Sequence, residues 1–328
     1  MAFSDGEAQV LALLAEAEGQ LLAAGALTAA GARYRQFQGD FEGALRSLSA
    51  RGMVEVAGGE IRLAPGALPQ AFALLTERRD VYYYYFREFY GRVGTSAAYG
   101  AYCARAHGRD LTQQGMTDMA SLARALAGLA LSPGARVLDV GCGAGGIAAF
   151  VARERGAEVL GIDHAAAAVA LAESRAAEGL RFRQADLNHM GALAGEAPFD
   201  AILASDALYW VADMAGTLKA LRGLLSTGGR LAILMSHRAE AAADLAPEAT
   251  RLGLACAELG LSHRVEDLTP ELAAFWDRAI AAIGDLHPHF AAEGNGFIAD
   301  WILAEAQEGF LPHLARGRMR RYLYVLEA

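Results

Sequence analysis

A glycine-rich turn between an apolar strand and an apolar helix is the feature that most constrains this chain. It occupies residues 137–146, with the sequence VLDVGCGAGG. Glycine at alternating positions lets the backbone adopt positive φ and lets a ligand approach the main chain closely. The helix that follows presents free backbone N–H groups at its N-terminus. The segment therefore predicts a binding site for a small molecule of the nucleoside type.

Apolar strands alternate with helical segments from residue 118 onward, which is typical of a parallel sheet covered by helices on both faces. The strands are predicted at 136–140, 158–163, 180–186, 199–206 and 229–235. Ligands of such sheets bind beyond the carboxyl ends of the strands. Four acidic residues and one serine are therefore expected on one rim: Asp139, Asp163, Asp186, Ser205 and Asp206.

Charge and composition exclude several classes of function. The chain of 328 residues has a net charge of −9, so it gains little from counterion release and a nucleic-acid partner is not expected. No uninterrupted apolar run reaches the length of a membrane span, and residues 1–7 lack the basic region of a signal peptide, so none is expected there. Three scattered cysteines without a CxxC pair predict a reducing, cytoplasmic location and no metal site.

Residues 1–66 predict a separate module of the winged-helix type. Helical spacing covers about 7–24 and 28–37, a third helix begins near Asp40, and residues 53–63 alternate about a Gly-Gly turn like a β-hairpin. The module has five arginines, no lysine and eight acidic residues. An acidic module binds DNA poorly. The composition therefore favours dimerisation or packing over DNA binding.

A run of aromatic residues at 81–90, VYYYYFREFY, lies in a mostly helical stretch at 68–131. Four adjacent tyrosines on a helix point in all directions, which predicts a helix sandwiched between two domains or subunits. The alternative is that one or two rings line the active site, where an aromatic face stabilises a cationic centre. On that interpretation Tyr83 is a candidate catalytic residue, and Tyr82 and Tyr84 are candidate substrate contacts.

The turn Gly141-x-Gly143-x-Gly145, with Asp139 two residues ahead, resembles motif I of class I S-adenosylmethionine-dependent methyltransferases. Residues 141–146 also satisfy the NAD fingerprint GxGxxG, which alone is a weak match. A carboxylate at position 139 would repel a pyrophosphate, but it suits the ammonium group of a methionine moiety. The resemblance therefore favours S-adenosylmethionine over NAD.

Later segments extend the resemblance to the small-molecule methyltransferases. Residues 206–210 and 225–231 resemble the segments around the fourth and fifth strands of that family, although Thr227 replaces a usual proline. Residues 265–269, with Phe275 and Trp276, resemble a lid. The closing run 322–326 resembles the seventh, antiparallel strand.

This resemblance implies an α/β architecture of three parts. A Rossmann-like seven-stranded domain covers 118–328 and carries a helical lid insertion at about 269–315. A helical linker at 67–117 joins it to the winged-helix-like module at 1–66. Family members with such a module imply a homodimer formed through residues 1–110.

The resemblance also implies S-adenosylmethionine as cofactor and methyl transfer to a small-molecule acceptor of the natural-product or secondary-metabolite type. Asp163 would hold the ribose hydroxyls, and Asp186 would contact the adenine amine. The full set of implied cofactor-binding residues is Asp139, Gly141, Cys142, Gly143, Gly145, Asp163, His164, Asp186, Leu187 and Ser205.

Methyl transfer depends mainly on positioning, and a general base helps when the nucleophile is a hydroxyl. His237, just beyond strand five, is a candidate base or orienting group. Tyr209, a candidate catalytic residue, and Trp210, a candidate substrate contact, follow strand four, with core packing as the alternative for both. Trp276 is expected to form an apolar wall of the substrate cavity.

Two other functions remain open at this point. The same fold can use S-adenosylmethionine itself as the substrate, cyclising its aminobutyrate chain, for example to azetidine-2-carboxylate, with release of methylthioadenosine. The tyrosine run and the absence of a compelling general base motivate this alternative. The second alternative is a winged-helix regulator that senses S-adenosylmethionine, which the acidic N-terminal module disfavours.

Overall fold

The computed structural model describes residues 3–16, 21–23, 41–67, 83–187, 190–193, 195–196, 198–211 and 213–327. The chain divides into two compact units, Met1–Phe89 and Tyr90–Ala328. This division falls inside the linker predicted at 67–117. The three-part domain organisation itself stays a prediction.

The first unit combines helices with a small antiparallel sheet. Its elements are α1 (Asp5–Glu16), β1 (Leu21–Ala23), α2 (Phe41–Ala50), β2 (Val54–Ala57), β3 (Glu60–Leu63) and the first part of α3 (Tyr83–Val93). The strand order is β1-β3-β2. Gly58 and Gly59 form the predicted hairpin turn with φ of +60° and +83°, as such a tight turn requires.

The prediction of a helix at about 7–24 is wrong for the second half of that range. It ends at Glu16, and Leu21–Ala23 forms a strand that pairs with Glu60–Arg62. Pairing with the open edge of β3 outweighs the helical propensity of this Leu- and Ala-rich stretch. The helix predicted at 28–37 lies outside the described residues, so the winged-helix interpretation stays a prediction.

A seven-stranded mixed sheet forms the centre of the second unit and confirms the predicted Rossmann-like class I methyltransferase fold. Its strands are β4 (Arg136–Val140), β5 (Glu158–Asp163), β6 (Leu180–Gln184), β7 (Phe199–Ser205), β8 (Leu225–Arg238), β9 (His263–Asp267) and β10 (Met319–Glu327). Their order is β6-β5-β4-β7-β8-β10-β9. The closing strand β10 runs antiparallel to both β8 and β9, as expected.

Helices cover both faces of this sheet. They are α4 (Ala97–His107), α5 (Met119–Leu129), α6 (Gly146–Arg155), α7 (Ala166–Glu173), α8 (Met214–Gly223), α9 (Arg251–Glu258), α10 (Thr269–Ala292), α11 (Gly296–Ala304) and α12 (Leu311–Ala315). Leu138 and Val140 of β4 pack into a core with α8 and α9, whereas Val137 packs into the opposite core with α5 and α6. Burial on both faces explains why the central parallel strands β4 and β7 are mostly apolar.

The predicted lid at 269–315 is helical. It consists of α10, α11, a π-helical turn at Glu305–Phe310, and α12, and α10 packs along α4. None of the helices described in the structure combines the length and the apolar character needed to cross a membrane.

Candidate active site

The glycine turn joins β4 to α6 in the conformation that its sequence demands. Gly141, Gly143 and Gly145 have φ of +70°, +53° and +76°, which L-residues with a Cβ rarely adopt. A Cβ at position 141 would lie 2.5 Å from the Cβ of Ala207, and one at position 145 would lie 2.7 Å from the ring of Phe182. Both conformation and packing therefore require glycine.

Asp139 is a buried carboxyl beside this turn. It is 3% exposed, and its Oδ2 has no hydrogen-bond partner among the described residues. Burial, with the charge of Asp163 added, raises the pKa of Asp139 to about 7. Burial of a polar atom without a hydrogen-bond partner costs free energy unless a bound ligand supplies the missing hydrogen bond. The arrangement suits a cationic group bound next to the turn.

Asp163 ends β5 and ties the turn to the neighbouring strand. Its Oδ2 accepts a hydrogen bond from Gly143 N, and its Oδ1 accepts one from Ala165 N, each at 2.9 Å. His164 Nδ1 lies 3.6 Å from Asp163 Oδ1. Cys142 is buried in the turn, where its N–H donates to Ile162 O. The carboxylate of Asp163 is therefore fixed by the main chain.

The remaining predicted cofactor residues lie along the same carboxyl edge. Asp186 and Leu187 follow β6, and both are half-buried. Ser205 ends β7 on the other side of β4, and its hydroxyl donates to Thr117 Oγ1 at 2.7 Å. The structure thus places all the predicted cofactor residues at the ends of four neighbouring strands.

Tyr90 is a residue of this site that the sequence analysis did not single out. A Cβ on Gly143 would lie 2.8 Å from Tyr90 Oη, so the tyrosine lies directly over the turn. Its hydroxyl donates to Gln114 Oε1 at 3.3 Å. Burial and then the charges of Asp163 and Cys142 raise its pKa. Tyr90 closes the aromatic run, so its presence in the run was the only available signal.

Three other tyrosines of the aromatic run are predicted to line the site: Tyr82, Tyr83 and Tyr84. Tyr82 lies outside the described residues. Tyr83 and Tyr84 belong to α3, but their side chains lie outside the described part of the structure. Their assignments stay predictions.

Asp206 and Arg321 form a buried ion pair just beyond the end of β7. Asp206 Oδ1 lies 2.6 Å from Arg321 Nη1, and Asp206 Oδ2 lies 2.8 Å from Arg321 Nη2. The carboxylate also accepts hydrogen bonds from Met116 N, Thr117 Oγ1 and Tyr209 Oη. Arg321 has no exposed surface. The sequence showed an arginine in an apolar closing strand, which is the signal that could have identified this pair.

The electrostatics of Asp206 follow from its partners. Burial alone would raise the pKa of this carboxyl, but the Arg321 guanidinium and the surrounding donors outweigh burial and lower it. Burial likewise opposes the charge of Arg321, and Asp206 more than compensates, which raises the pKa of Arg321. The two groups are therefore both charged at neutral pH and neutralise one another.

Tyr209 is hydrogen-bonded to this ion pair. Its hydroxyl donates to Asp206 Oδ1 at 2.9 Å and accepts a hydrogen bond from Ser236 N at 2.8 Å. Burial and the charge of Asp206 raise its pKa. This placement favours a positioning role for Tyr209. The side chain of Trp210 lies outside the described part of the structure.

His237 lies on the other face of the sheet from Arg321. In the β8–β10 ladder His237 pairs with Arg320, and the neighbouring pair is Ser236 with Arg321, so the two pairs point to opposite faces. The ring of His237 packs against Tyr322 and Tyr324. Burial and the charge of Arg321 lower its pKa to about 4. His237 is therefore neutral and weakly basic at pH 7. Its assignment as the general base stays a prediction.

Trp276 belongs to a run of packed aromatic rings that includes residues of the lid itself. Its ring lies 5.1 Å from Phe275 and 4.9 Å from Phe310, and Phe275 lies 4.8 Å from His107. Tyr102 lies 5.9 Å from His107 and extends the run into α4. We call Tyr102, His107, Phe275, Trp276 and Phe310 the lid aromatic cluster. The position of Trp276 is compatible with the predicted cavity wall.

Replacing Arg321 by Met leaves a buried carboxylate without its counter-ion. We expect the free energy of unfolding to fall by about 3–5 kcal/mol, the usual cost of removing one partner of a buried pair. Urea unfolding followed by circular dichroism measures this loss. The matched control is the double variant Arg321→Met, Asp206→Asn, because Asn is neutral and tolerates the φ of +55° at position 206. The double variant should lose less stability; equal losses contradict the assigned importance of the pair.

Comparisons with known proteins agree with the sheet order and the glycine turn. A family model described as "Methyltransferase domain" matches residues 131–306. A ubiquinone biosynthesis O-methyltransferase of Xanthomonas campestris pv. campestris (strain B100) is 34% identical over 148 residues, which cover 44% of this chain and 62% of that protein. The chain thus spans about three fifths of the length of this relative.

Two further proteins extend the comparison. A trans-aconitate 2-methyltransferase of Methylobacterium nodulans is 37% identical over 216 residues, which cover 62% of this chain and 80% of that protein. The structure of a phosphoethanolamine N-methyltransferase of Haemonchus contortus, in complex with phosphomonomethylethanolamine and S-adenosylhomocysteine, matches with a TM-score of 0.56 and 19% identity. That match covers 74% of this chain and 59% of the other, and it supports the fold alone. With the family match covering more than half of its length, this chain belongs to the methyltransferase-domain family.

Proposed function

We propose that this protein transfers a methyl group from S-adenosylmethionine to a small-molecule acceptor. The observation that carries the proposal is the buried Asp139 Oδ2, which lies next to the glycine turn without a hydrogen-bond partner among the described residues. The methionine moiety of the donor carries an ammonium group that would donate a hydrogen bond to this oxygen. The chain belongs to the methyltransferase-domain family, which supports a methyl donor as the ligand.

The residues at the carboxyl edge of the sheet fit the rest of this ligand. Each Asp163 oxygen accepts one backbone hydrogen bond and retains a lone pair for a ribose hydroxyl. Asp186 and Leu187 would contact the adenine, and the main chain of the glycine turn would lie against the methionine moiety. When bound, S-adenosylmethionine supplies an activated methyl group on a sulfonium sulfur.

The acceptor is proposed at the level of a small molecule, with a natural-product or secondary-metabolite acceptor as the finer proposal. The relatives named above act in ubiquinone biosynthesis and on trans-aconitate, according to their names. The acidic charge of the chain supports the proposal that no nucleic acid is a partner. A cytoplasmic location remains part of the proposal. The methylthioadenosine-releasing alternative receives no support from the family model or these relatives.

Product analysis tests the reaction class. The purified protein is incubated with S-adenosylmethionine alone and with candidate acceptors, and the nucleoside products are followed by mass spectrometry. We expect S-adenosylhomocysteine to form only when an acceptor is present. Methylthioadenosine formed without any acceptor would establish the intramolecular reaction instead.

The pH dependence of cofactor binding tests the role of Asp139. Because its pKa is about 7 in the free protein, the carboxyl is mainly protonated below that pH. An ammonium group favours the ionised form, so binding releases a proton and affinity for S-adenosylhomocysteine rises between about pH 5 and pH 8. Asp139→Asn should weaken binding by about 1.5–3 kcal/mol and abolish the pH dependence. Calorimetry in buffers of different ionisation enthalpy measures both effects; an unchanged pH dependence contradicts the assignment.

We also propose that the winged-helix-like module serves dimerisation and that the protein is a homodimer through residues 1–110. The support is the acidic composition of residues 1–66 and the resemblance to family members with such a module. Sedimentation equilibrium of the full chain should give twice the mass of 34.5 kDa. The mass of one chain at micromolar concentration contradicts the proposal.

A further inference from the structure

His107 ends α4 with one ring nitrogen bonded and the other without a partner. The residue is only 1% exposed. Its Nδ1 lies 3.1 Å from Thr117 O, a carbonyl that can only accept, so Nδ1 carries the hydrogen and Nε2 is an acceptor. Nε2 is buried and has no hydrogen-bond partner among the described residues. Burial lowers the pKa of His107 to about 4, so the ring is neutral at pH 7 and Nε2 keeps its lone pair.

Neighbouring groups fix the orientation of this imidazole. Its ring centroid lies 4.8 Å from that of Phe275 and 5.9 Å from that of Tyr102, with the Tyr102 ring nearly perpendicular to it. Arg278 of α10 donates to Ala106 O at 3.0 Å and so holds the end of α4 against α10. The unpartnered Nε2 therefore has a defined position in the lid aromatic cluster.

Thr117 connects His107 to the cofactor edge of the sheet. Its Oγ1 accepts a hydrogen bond from the hydroxyl of Ser205 at 2.7 Å. Ser205 ends β7, the strand that pairs with β4 next to the glycine turn. The same Oγ1 donates to Asp206 Oδ2 at 3.0 Å. Two hydrogen bonds through Thr117 thus link the imidazole to the strand end where the cofactor is proposed to bind.

Trp276 adds a second unpartnered polar atom to the cluster. The residue is 2% exposed, and its Nε1, which is a donor, has no hydrogen-bond partner among the described residues. None of the five cluster residues is charged at neutral pH, because His107 is neutral and burial raises the pKa of Tyr102. A hydroxyl group both donates and accepts, so it matches this combination of one acceptor and one donor among apolar rings.

The segment that covers Trp276 is the least buried part of the lid. Phe310 ends the π-helical turn Glu305–Phe310, and its ring lies 4.9 Å from that of Trp276. In residues 305–315 only Ala306 is buried, whereas α10 buries eight residues. Segments with few buried apolar contacts open at low free-energy cost, and π-helical turns occur frequently at functional sites. Opening of residues 305–315 would expose the Trp276 ring to a ligand.

We propose that the lid aromatic cluster binds the ring of a neutral aromatic acceptor, and that His107 Nε2 accepts a hydrogen bond from a hydroxyl group on that ring. The inference rests on the proposed methyl transfer, since it assigns the acceptor side of that reaction. His107 determines specificity by orienting the hydroxyl, and it takes no part in bond making or breaking. The acceptor enters through the segment 305–315.

Two substitutions separate the roles of the two ring nitrogens. His107→Asn places an amide nitrogen near the position of Nδ1, so it keeps the bond to Thr117 O but lacks the Nε2 acceptor. His107→Gln places an amide oxygen near the position of Nε2, so it keeps the acceptor but loses the bond to Thr117. Wild type and both variants are saturated with S-adenosylhomocysteine and titrated in a calorimeter with p-cresol and with p-xylene, in which a methyl group replaces the hydroxyl.

The ratio of the two dissociation constants measures recognition of the hydroxyl. We expect wild type and His107→Gln to prefer p-cresol, and His107→Asn to reduce this preference by about tenfold, the usual contribution of one hydrogen bond. Nitrogen-15 NMR of wild type gives an independent measurement that needs no variant. There, p-cresol should shift the resonance of the unprotonated His107 Nε2, and p-xylene should not.

Several results would overturn the inference. Equal ratios in wild type and His107→Asn would mean that a buried water molecule alone occupies the site. Equal losses in both variants would mean that His107 acts only through its bond to Thr117. No binding of p-cresol by wild type, or an Nε2 resonance that p-cresol leaves unchanged, would also contradict it. A failure to bind S-adenosylhomocysteine would instead contradict the proposed function.

Discussion

The buried pair between Asp206 and Arg321 is the interaction on which the candidate active site depends. It joins the loop after β7 to the last strand of the chain, 115 residues later in sequence. The same two side chains hold Thr117 and Ser236, and Tyr209 closes the network. An uncompensated charge at this depth would be costly. The pairing therefore fixes the segment before α5, the ends of β7 and β8, and β10 relative to one another.

This network leaves the site with a distinctive balance of charge. Asp206 and Arg321 neutralise each other, and both His107 and His237 have pKa values lowered to about 4. Asp139, whose Oδ2 has no hydrogen-bond partner among the described residues, has a pKa raised to about 7 by burial and the charge of Asp163. It lies beside the glycine turn, where the site is suited to a cationic group.

Most of the fold of the second unit could be predicted from the sequence. The strands β4 and β5 have the predicted bounds, and the closing strand is antiparallel as expected, because their apolar runs are bounded by clear turn signals. The first unit was less predictable. Leu21–Ala23 forms a strand because it pairs with the free edge of β3. The local sequence of residues 21–23 does not indicate this pairing. Local propensity fails where a long-range pairing decides the structure.

The candidate site could likewise be predicted only in part from the sequence. The sequence by itself determined the cofactor side, because glycines that need positive φ and acids at strand ends are local requirements of the chain. Only the tertiary structure decided the surroundings of these residues. It placed Tyr90 over Gly143, turned His237 to the face away from Arg321, and paired Asp206 with Arg321 across 115 residues of sequence. The physical reason is that partners, burial and pKa values arise from contacts between distant segments, which no single stretch of sequence contains.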